Sequence, residues 1–331
     1  MNLSHQETLF IDDNIKNIDT VREMEFPIIH LTDPNELIPE LRKIGISIDV
    51  KICNLQGIFM IEAIEIYDID GTLTRAHGDI PDTTGFHTYA FWPLISQHFT
   101  KDPVDLDKMI ADWDESMKTE NDPTASSHEM MQRSIDTFRE GVTGEGMRAY
   151  AKKLTLYLIH HGVIRKEAIA FLEARVKQGI TCILSTGSYQ DGALGFVDAL
   201  VQAKLISPET QKKLRVSGAV VDWDDRTLLH ANVRDRKLIG IEIVMGKQMQ
   251  ELRPHVLAVY GDDPWVNDAG ILAAAPKGNG YVIATAKNTG KSLPDGYRLS
   301  TWPSIIQKQA SIKTKADELE IESAAQMRAK L

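Results

Sequence analysis

Asp68 and Asp70 stand two residues apart at the end of an apolar run, Ile61 to Tyr67, and Gly71 and Thr72 follow at once. Alternate residues of a strand point to one side, so two carboxylates at that spacing leave it together, as shared metal binding or acid–base work requires. Gly71 lets the chain turn away immediately. Two further apolar runs end on reactive polar groups. Ile180 to Leu184 leads into Ser185-Thr186-Gly187, and Val256 to Tyr260 leads into Gly261-Asp262-Asp263, with Asp268 shortly beyond. Lys237 opens the helical pattern before the last of these runs and supplies a cation. Ligands of open α/β sheets bind beyond the carboxyl ends of the strands, so these groups are candidates for one site.

The elements that must position them alternate between strand and helix patterns. Glu167 to Gln178 reads as a helix stopped at Gly179, and Leu238 to Leu252 has apolar residues at helical spacing. Val216 to Trp223 and Thr227 to Val233 read as a hairpin across Asp224-Asp225, and Gly280 to Thr285 as one more strand. From His77 to Gly162 the pattern is mostly helical, cut into short pieces by Pro81, Pro93, Pro103 and Pro123. Strands alternating with helices predict an α/β fold: a mainly parallel sheet covered on both faces.

The chain has 331 residues, enough for two average domains or for one core with a large insertion. With 43% apolar and 25% charged residues the composition is that of a globular protein. A net charge of -10 offers no broad basic face, so nucleic acid is not expected as a partner. The apolar runs are too short and too interrupted to span a membrane, and the first residues have neither the charged nor the apolar region of a secretory signal. Cys53 and Cys182 read as reduced thiols, which with the missing signal points to a cytoplasmic protein.

Taken in order, Asp68-Ile69-Asp70-Gly71-Thr72, Ser185, Lys237 and Gly261-Asp262 with a further acid resemble the four motifs of the haloacid dehalogenase-like hydrolases, especially their phosphoserine phosphatase-like branch. The resemblance covers about residues 60 to 290. It implies a Rossmann-like three-layer core with a helical cap inserted after the first strand, and a Mg²⁺-dependent phosphatase. It makes Asp68 the nucleophile that forms an aspartyl-phosphate, and Asp70 the acid and base that serve the leaving oxygen and the attacking water. Ser185, with Thr186 and Gly187, would bind phosphate oxygens; Thr186 or Ser188 could take the place of Ser185. Lys237 would offset the crowded negative charge, with Arg234, Arg236 and Lys247 as nearby rivals for that role. Asp262 would hold Mg²⁺ together with the Asp68 carboxylate and the Asp70 carbonyl. The family's usual spacing between its last two acids fits Asp263 to Asp268 better than Asp262 to Asp268. That leaves the register open by one residue, although the Gly-Asp step favours Asp262. An acid at Asp70 goes with phosphoryl transfer, so dehalogenation is set aside.

The resemblance divides the chain into a core of 58–76 and 168–310, a cap of 77–167 and a charged C-terminal helix within 311–331. Arg133, Arg139 and Arg148 lie on the cap's later helices and could meet an anionic substrate. The expected substrate is a small phosphate monoester. Arg75-Ala76-His77-Gly78 stands where phosphoserine-specific members usually carry a carboxylate, and the first acid there is Asp79. Two rival readings are a phosphotransferase using the same intermediate and a non-catalytic interaction module on the same fold. Residues 1–57 form an extension and linker. The first 45 residues, with Leu9 to Asn17 at their head, resemble the last third of a second such domain without its nucleophile strand. A βαβα piece of that size cannot bury a core alone, so self-association or docking through it is expected.

Overall fold

The computed structural model describes residues 10–12, 28–30, 63–76, 79, 91–102, 108, 111–112, 115 and 123–310. The chain forms two compact units, Met1–Ile61 and Glu62–Leu331. In the first, β1 (Phe10–Asp12) and β2 (Ile28–His30) are strands paired parallel, with Phe10 opposite Ile28. The helices expected around them lie outside the described residues.

The second unit is built on β3 (Ile64–Tyr67), whose four residues are all buried. A strand covered on both faces reads as a continuous apolar run rather than an alternating one, and β3 obeys this apart from Glu65. Helices α1 (Phe91–Phe99), α2 (Pro123–Asp136), α3 (Gly144–His160) and α4 (Lys166–Lys177) fill the segment before β4 (Thr181–Tyr189). Thr143 caps α3 by accepting from the Gly146 amide. After β4 come α5 (Gln190–Gln202), α6 (Pro208–Lys213), β5 (Arg215–Asp222) and β6 (Thr227–His230). Then follow α7 (Arg236–Met245), α8 (Met249–Leu252), β7 (Val256–Gly261), α9 (Ala269–Leu272), β8 (Gly280–Ile283) and β9 (Tyr297–Ser300).

These strands make a seven-stranded sheet in the order β6-β5-β4-β3-β7-β8-β9, parallel except for the β5–β6 hairpin. The two sides of β5 show the layering. A Cβ on Gly218 would meet Gln190 of α5 at 2.7 Å, while one on Gly240 of α7 would meet Ser217 Oγ at 2.3 Å. Neighbouring strand residues face opposite ways, so α5 and α7 cover opposite faces and the fold is a three-layer α/β sandwich.

Three details differ from the sequence reading. The helix expected from Leu238 to Leu252 is broken at Gly246, which takes φ +63° and ends α7. Edge strand β9, with residues half-exposed or exposed, had no apolar signature. Strand β4 continues past Leu184 to Tyr189, with a bulge: Ser185 pairs with Ser217 and Tyr189 with Ala219. Four steps on β4 thus oppose two on β5, and such irregularities re-aim side chains at sheet ends. Among the described residues no helix is long and apolar enough to cross a membrane. Residues 77–78, 80–90 and much of 103–122, where the cap would begin, lie outside the described residues, as does 311–331.

Candidate active site

Three central strands bring their carboxyl ends to one edge. The Asp68 amide donates to the Tyr260 carbonyl at 2.9 Å, which ties the end of β3 to the end of β7. The turn that follows is held from within and from afar: the Gly71 amide donates to Thr74 Oγ1 at 3.1 Å, and Trp302 Nε1 donates to the Thr72 carbonyl at 2.9 Å. Gly71 sits at φ +79°, and a Cβ there would stand 2.3 Å from Asp262 Oδ2. Glycine is therefore required twice, for its dihedral and for the approach of Asp262.

Lys237, on the first turn of α7, is fully buried. Its Nζ donates to Asp68 Oδ1 at 2.7 Å and to Asp268 Oδ1 at 2.6 Å. The other oxygen of Asp268 accepts from the backbone amides of Asp262 and Asp263 at 2.9 and 3.1 Å, so Asp268 shapes the turn after β7. Asp263 points elsewhere: its Oδ1 accepts from the Val266 amide at 3.3 Å, and its Oδ2 lies 3.6 Å from Lys287 Nζ. Asn288, wholly buried, donates to the carbonyls of Asp262 and Ile283 at 2.9 and 2.8 Å and so fixes the Asp262 backbone to the end of β8.

Asp70 faces α1. Its Oδ1 accepts from the Phe91 amide at 2.8 Å, and its Oδ2 accepts from Thr186 Oγ1 at 3.4 Å. Ser185 lies one step past Leu184, the register partner of Tyr67, and so alongside Asp68 on the adjacent strand. It is fully buried, with its Oγ 3.4 Å from Asn232 Nδ2. Of the two hydroxyls it is therefore Thr186 that reaches Asp70. Gly187 faces Val233 and Asn267, since a Cβ there would lie 3.5 Å and 3.8 Å from them.

Carboxyl oxygens of Asp68, Asp262 and Asp268 lie within 4.8 Å of one another. Burial, reinforced by the Asp268 carboxylate, pushes Asp68 and Asp262 well above the usual carboxylate range. Lys237 pulls Asp68 the other way but does not outweigh those two effects. Burial also raises Asp70, against the Phe91 amide, which favours its charged form. Asp68 Oδ2 is buried and has no hydrogen-bond partner among the described residues. One ammonium among three carboxylates leaves the cluster short of positive charge, and an orphaned buried oxygen is costly. A hard divalent cation with oxygen ligands, such as Mg²⁺, fits this donor set.

Sequence reading missed Asn232. Its amide donates to the carbonyls of Thr186 and Ser217 at 2.8 and 3.0 Å, and its Oδ1 accepts from Ser217 Oγ at 3.1 Å. It clamps the bulged end of β4 onto β5. No apolar period or motif marks it; only the fold brings it under Ser185.

No family model matches the sequence, and no curated protein matches it either. Solved structures that resemble the chain include a protein of unknown function from Bordetella pertussis Tohama I, 13% identical, covering 69% of this chain and 92% of its own, with a TM-score of 0.43. A phosphoserine phosphatase from T. onnurineus is 12% identical over 74% of this chain and 93% of its own, with a TM-score of 0.41. A cytosolic 5'-nucleotidase IIIB bound to cytidine is 15% identical over 76% and 88%, with a TM-score of 0.43. At these identities and TM-scores the likeness adds nothing to what the chain's own sheet says. That sheet, mixed α/β and mostly parallel with β3 at its centre and acidic turns at one edge, has the architecture that the resemblance to haloacid dehalogenase-like hydrolases implies.

Proposed function

We propose that the protein is a Mg²⁺-dependent phosphatase that hydrolyses a small phosphate monoester through an aspartyl-phosphate on Asp68. The observation that carries this reading is the clustering of Asp68, Asp262 and Asp268 around one sheet edge, with the buried Lys237 bonded to Asp68 and Asp268, drawn from three separate stretches of chain.

Asp68 Oδ1 accepts from Lys237, while Oδ2 has no partner among the described residues and would be the oxygen available to a ligand. Asp68, Asp262 and the Asp70 carbonyl would hold Mg²⁺, which when bound supplies charge that offsets the phosphate anion. In the first step an Asp68 oxygen forms a bond to phosphorus while the bond from phosphorus to the leaving oxygen breaks, and Asp70 hands that oxygen a proton. In the second, Asp70 takes a proton from water as the water oxygen attacks phosphorus, releasing phosphate and restoring Asp68. Held by the Phe91 amide and the Thr186 hydroxyl, the Asp70 carboxyl has a fixed direction for both transfers. Lys237 stays charged between Asp68 and Asp268 and steadies the nucleophile.

Release of phosphate from an aryl phosphate in the presence of Mg²⁺, compared with Asp68→Asn, tests the reading. An inert wild type across a broad ester panel, or a variant equal to it, would overturn it. Added alcohols that capture the phosphoryl group would instead mark a phosphotransferase.

A further inference from the structure

A cavity of about 550 Å³ is walled by Arg75, Asp79, Arg165 and the turn after β8 that contains Thr285, and its Arg165 lies near enough to the acidic cluster to feel the Asp262 charge. It is built into the same loops as the site. Arg75 directly follows the Thr74 that closes the Asp68 turn, and Asn288 staples the turn after β8 to the Asp262 carbonyl. The volume is within the range of small-molecule sites, roughly 300–1,000 Å³.

The two guanidiniums are oriented but not saturated. Arg75 Nε donates to the Gly162 carbonyl at 3.0 Å, and Arg165 Nε donates to the Thr74 carbonyl at 3.1 Å. No hydrogen bond to another described residue is made by the Nη groups of either side chain. Asp79 balances them only in part. Its oxygens accept from the Ala286 amide at 3.1 and 3.3 Å, and the nearer Arg165 nitrogen stands 3.9 Å away, beyond hydrogen-bond reach. Arg165 is 13% exposed, and burial followed by the neighbouring Arg75 holds its pKa below the ordinary arginine range. Thr285 also lines the cavity. That residue is 3% exposed, and its buried Oγ1 has no partner among the described residues, which is a cost for a hydroxyl.

We propose that this cavity binds an oxyanion carried on the leaving group, so that the preferred substrates are phosphate monoesters bearing a second carboxylate or phosphate. Planar forks of donors from Arg75 and Arg165 suit either anion, and a turn of the Thr285 side chain would bring its hydroxyl to the same anion. An ammonium group would meet two like charges and one carboxylate that is already engaged. The placement of the ester's phosphate rests on the phosphatase reading of Asp68; the anion site rests on the cavity alone.

The test compares phenyl phosphate, 3-phosphooxypropanoate and 1,3-propanediol bisphosphate as substrates for the wild type, Arg75→Gln and Thr285→Val. The expected result is a rise in KM at least five times larger for one or both anionic esters than for phenyl phosphate. Which of the two responds tells carboxylate from phosphate. Binding of malonate and of inorganic phosphate, measured by calorimetry on the same proteins and on Asp68→Asn, supplies a second readout without turnover. Malonate or phosphate binding that survives Asp68→Asn and weakens at least tenfold in Arg75→Gln supports the subsite even if no ester is hydrolysed, which would count against the phosphatase reading alone. Equal KM changes on all three esters, together with anion binding indifferent to Arg75 and Thr285, would overturn the subsite and leave the pair as a structural ion cluster.

Discussion

Lys237 Nζ lies 2.7 Å from Asp68 Oδ1, and both side chains are shut away from water. Burial works against the lysine's charge, but the Asp268 and Asp68 carboxylates outweigh it and push its pKa up, which favours the ammonium form. Its removal would strand two buried carboxylates. We expect Lys237→Met to lose about 3–5 kcal/mol of stability in urea titration, the range for breaking a buried pair from one side. Phosphate release should fall by roughly a hundredfold or more, as when a preorganised charge is taken from an active site. Lys237→Arg should not restore it, because no space is left around a side chain already 0% exposed. Wild-type turnover in the methionine variant would remove Lys237 from the chemistry.

Gly71 offers a cleaner separation of strain from site geometry. Gly71→Ala pays for a left-handed residue, about 1–2 kcal/mol, and also drives its Cβ into Asp262 Oδ2, 2.3 Å away. Gly141 has nearly the same φ, +77°, with nothing within 4 Å of where its Cβ would be. The two alanine variants should therefore share the strain, whereas Gly71→Ala alone should lose the rise in melting temperature on adding Mg²⁺. A Mg²⁺ response that persists in Gly71→Ala would show that Asp262 does not hold the ion.

How far this arrangement could be read in the sequence depends on the range of the interactions. The strands β3, β4 and β7 are legible because burial on both faces writes an apolar run, and the acids follow those runs directly. The turn glycine is legible for the same local reason. Asn232 and Asn288 are not, since each is a lone polar residue whose partners lie far off in sequence, at Thr186 and Asp262. Nor is the approach of Arg75 to Arg165, which depends on how α4 meets the turn after β3. The break at Gly246 was visible as a glycine within a helical pattern, but the apolar spacing on either side of it masked the stop. Strand β9 is an edge, and Tyr297-Arg298-Leu299-Ser300 carries no burial pattern to read.

Glu65 is the exception within β3 and gives a prediction away from the chemistry. It is fully buried, Arg175 Nε donates to its Oε1 at 2.9 Å, and the Tyr67 hydroxyl donates to its Oε2. Arg175→Met leaves that carboxylate uncompensated and should cost about 3–5 kcal/mol, whereas the double change Glu65→Leu with Arg175→Met should recover most of the loss. The comparison is of urea midpoints at constant slope. A double variant no more stable than Arg175→Met would mean that the pair contributes more than its own desolvation costs.

His230 connects the clamp around Ser185 to pH. Its Nε2 is 3.3 Å from Asn232 Oδ1, an acceptor, so this nitrogen carries the proton in the neutral ring. Burial lowers its pKa and the nearby Arg236 charge acts in the same direction, while the bonds to Asn232 and to the Arg236 backbone oppose them. A lowered pKa means that the unfolded chain takes up a proton before the folded one does. Stability from this group is thus full above the unfolded value, about 6.5, and falls as pH drops below it until the folded ring also titrates. The melting temperature should accordingly decline between about pH 7 and pH 5, a window set by that ordinary histidine value. Gln at this position keeps a side-chain N–H for Asn232 and has no titration, so His230→Gln should flatten the decline without lowering the plateau at pH 8. An unchanged slope in that variant would assign the acid sensitivity to other groups.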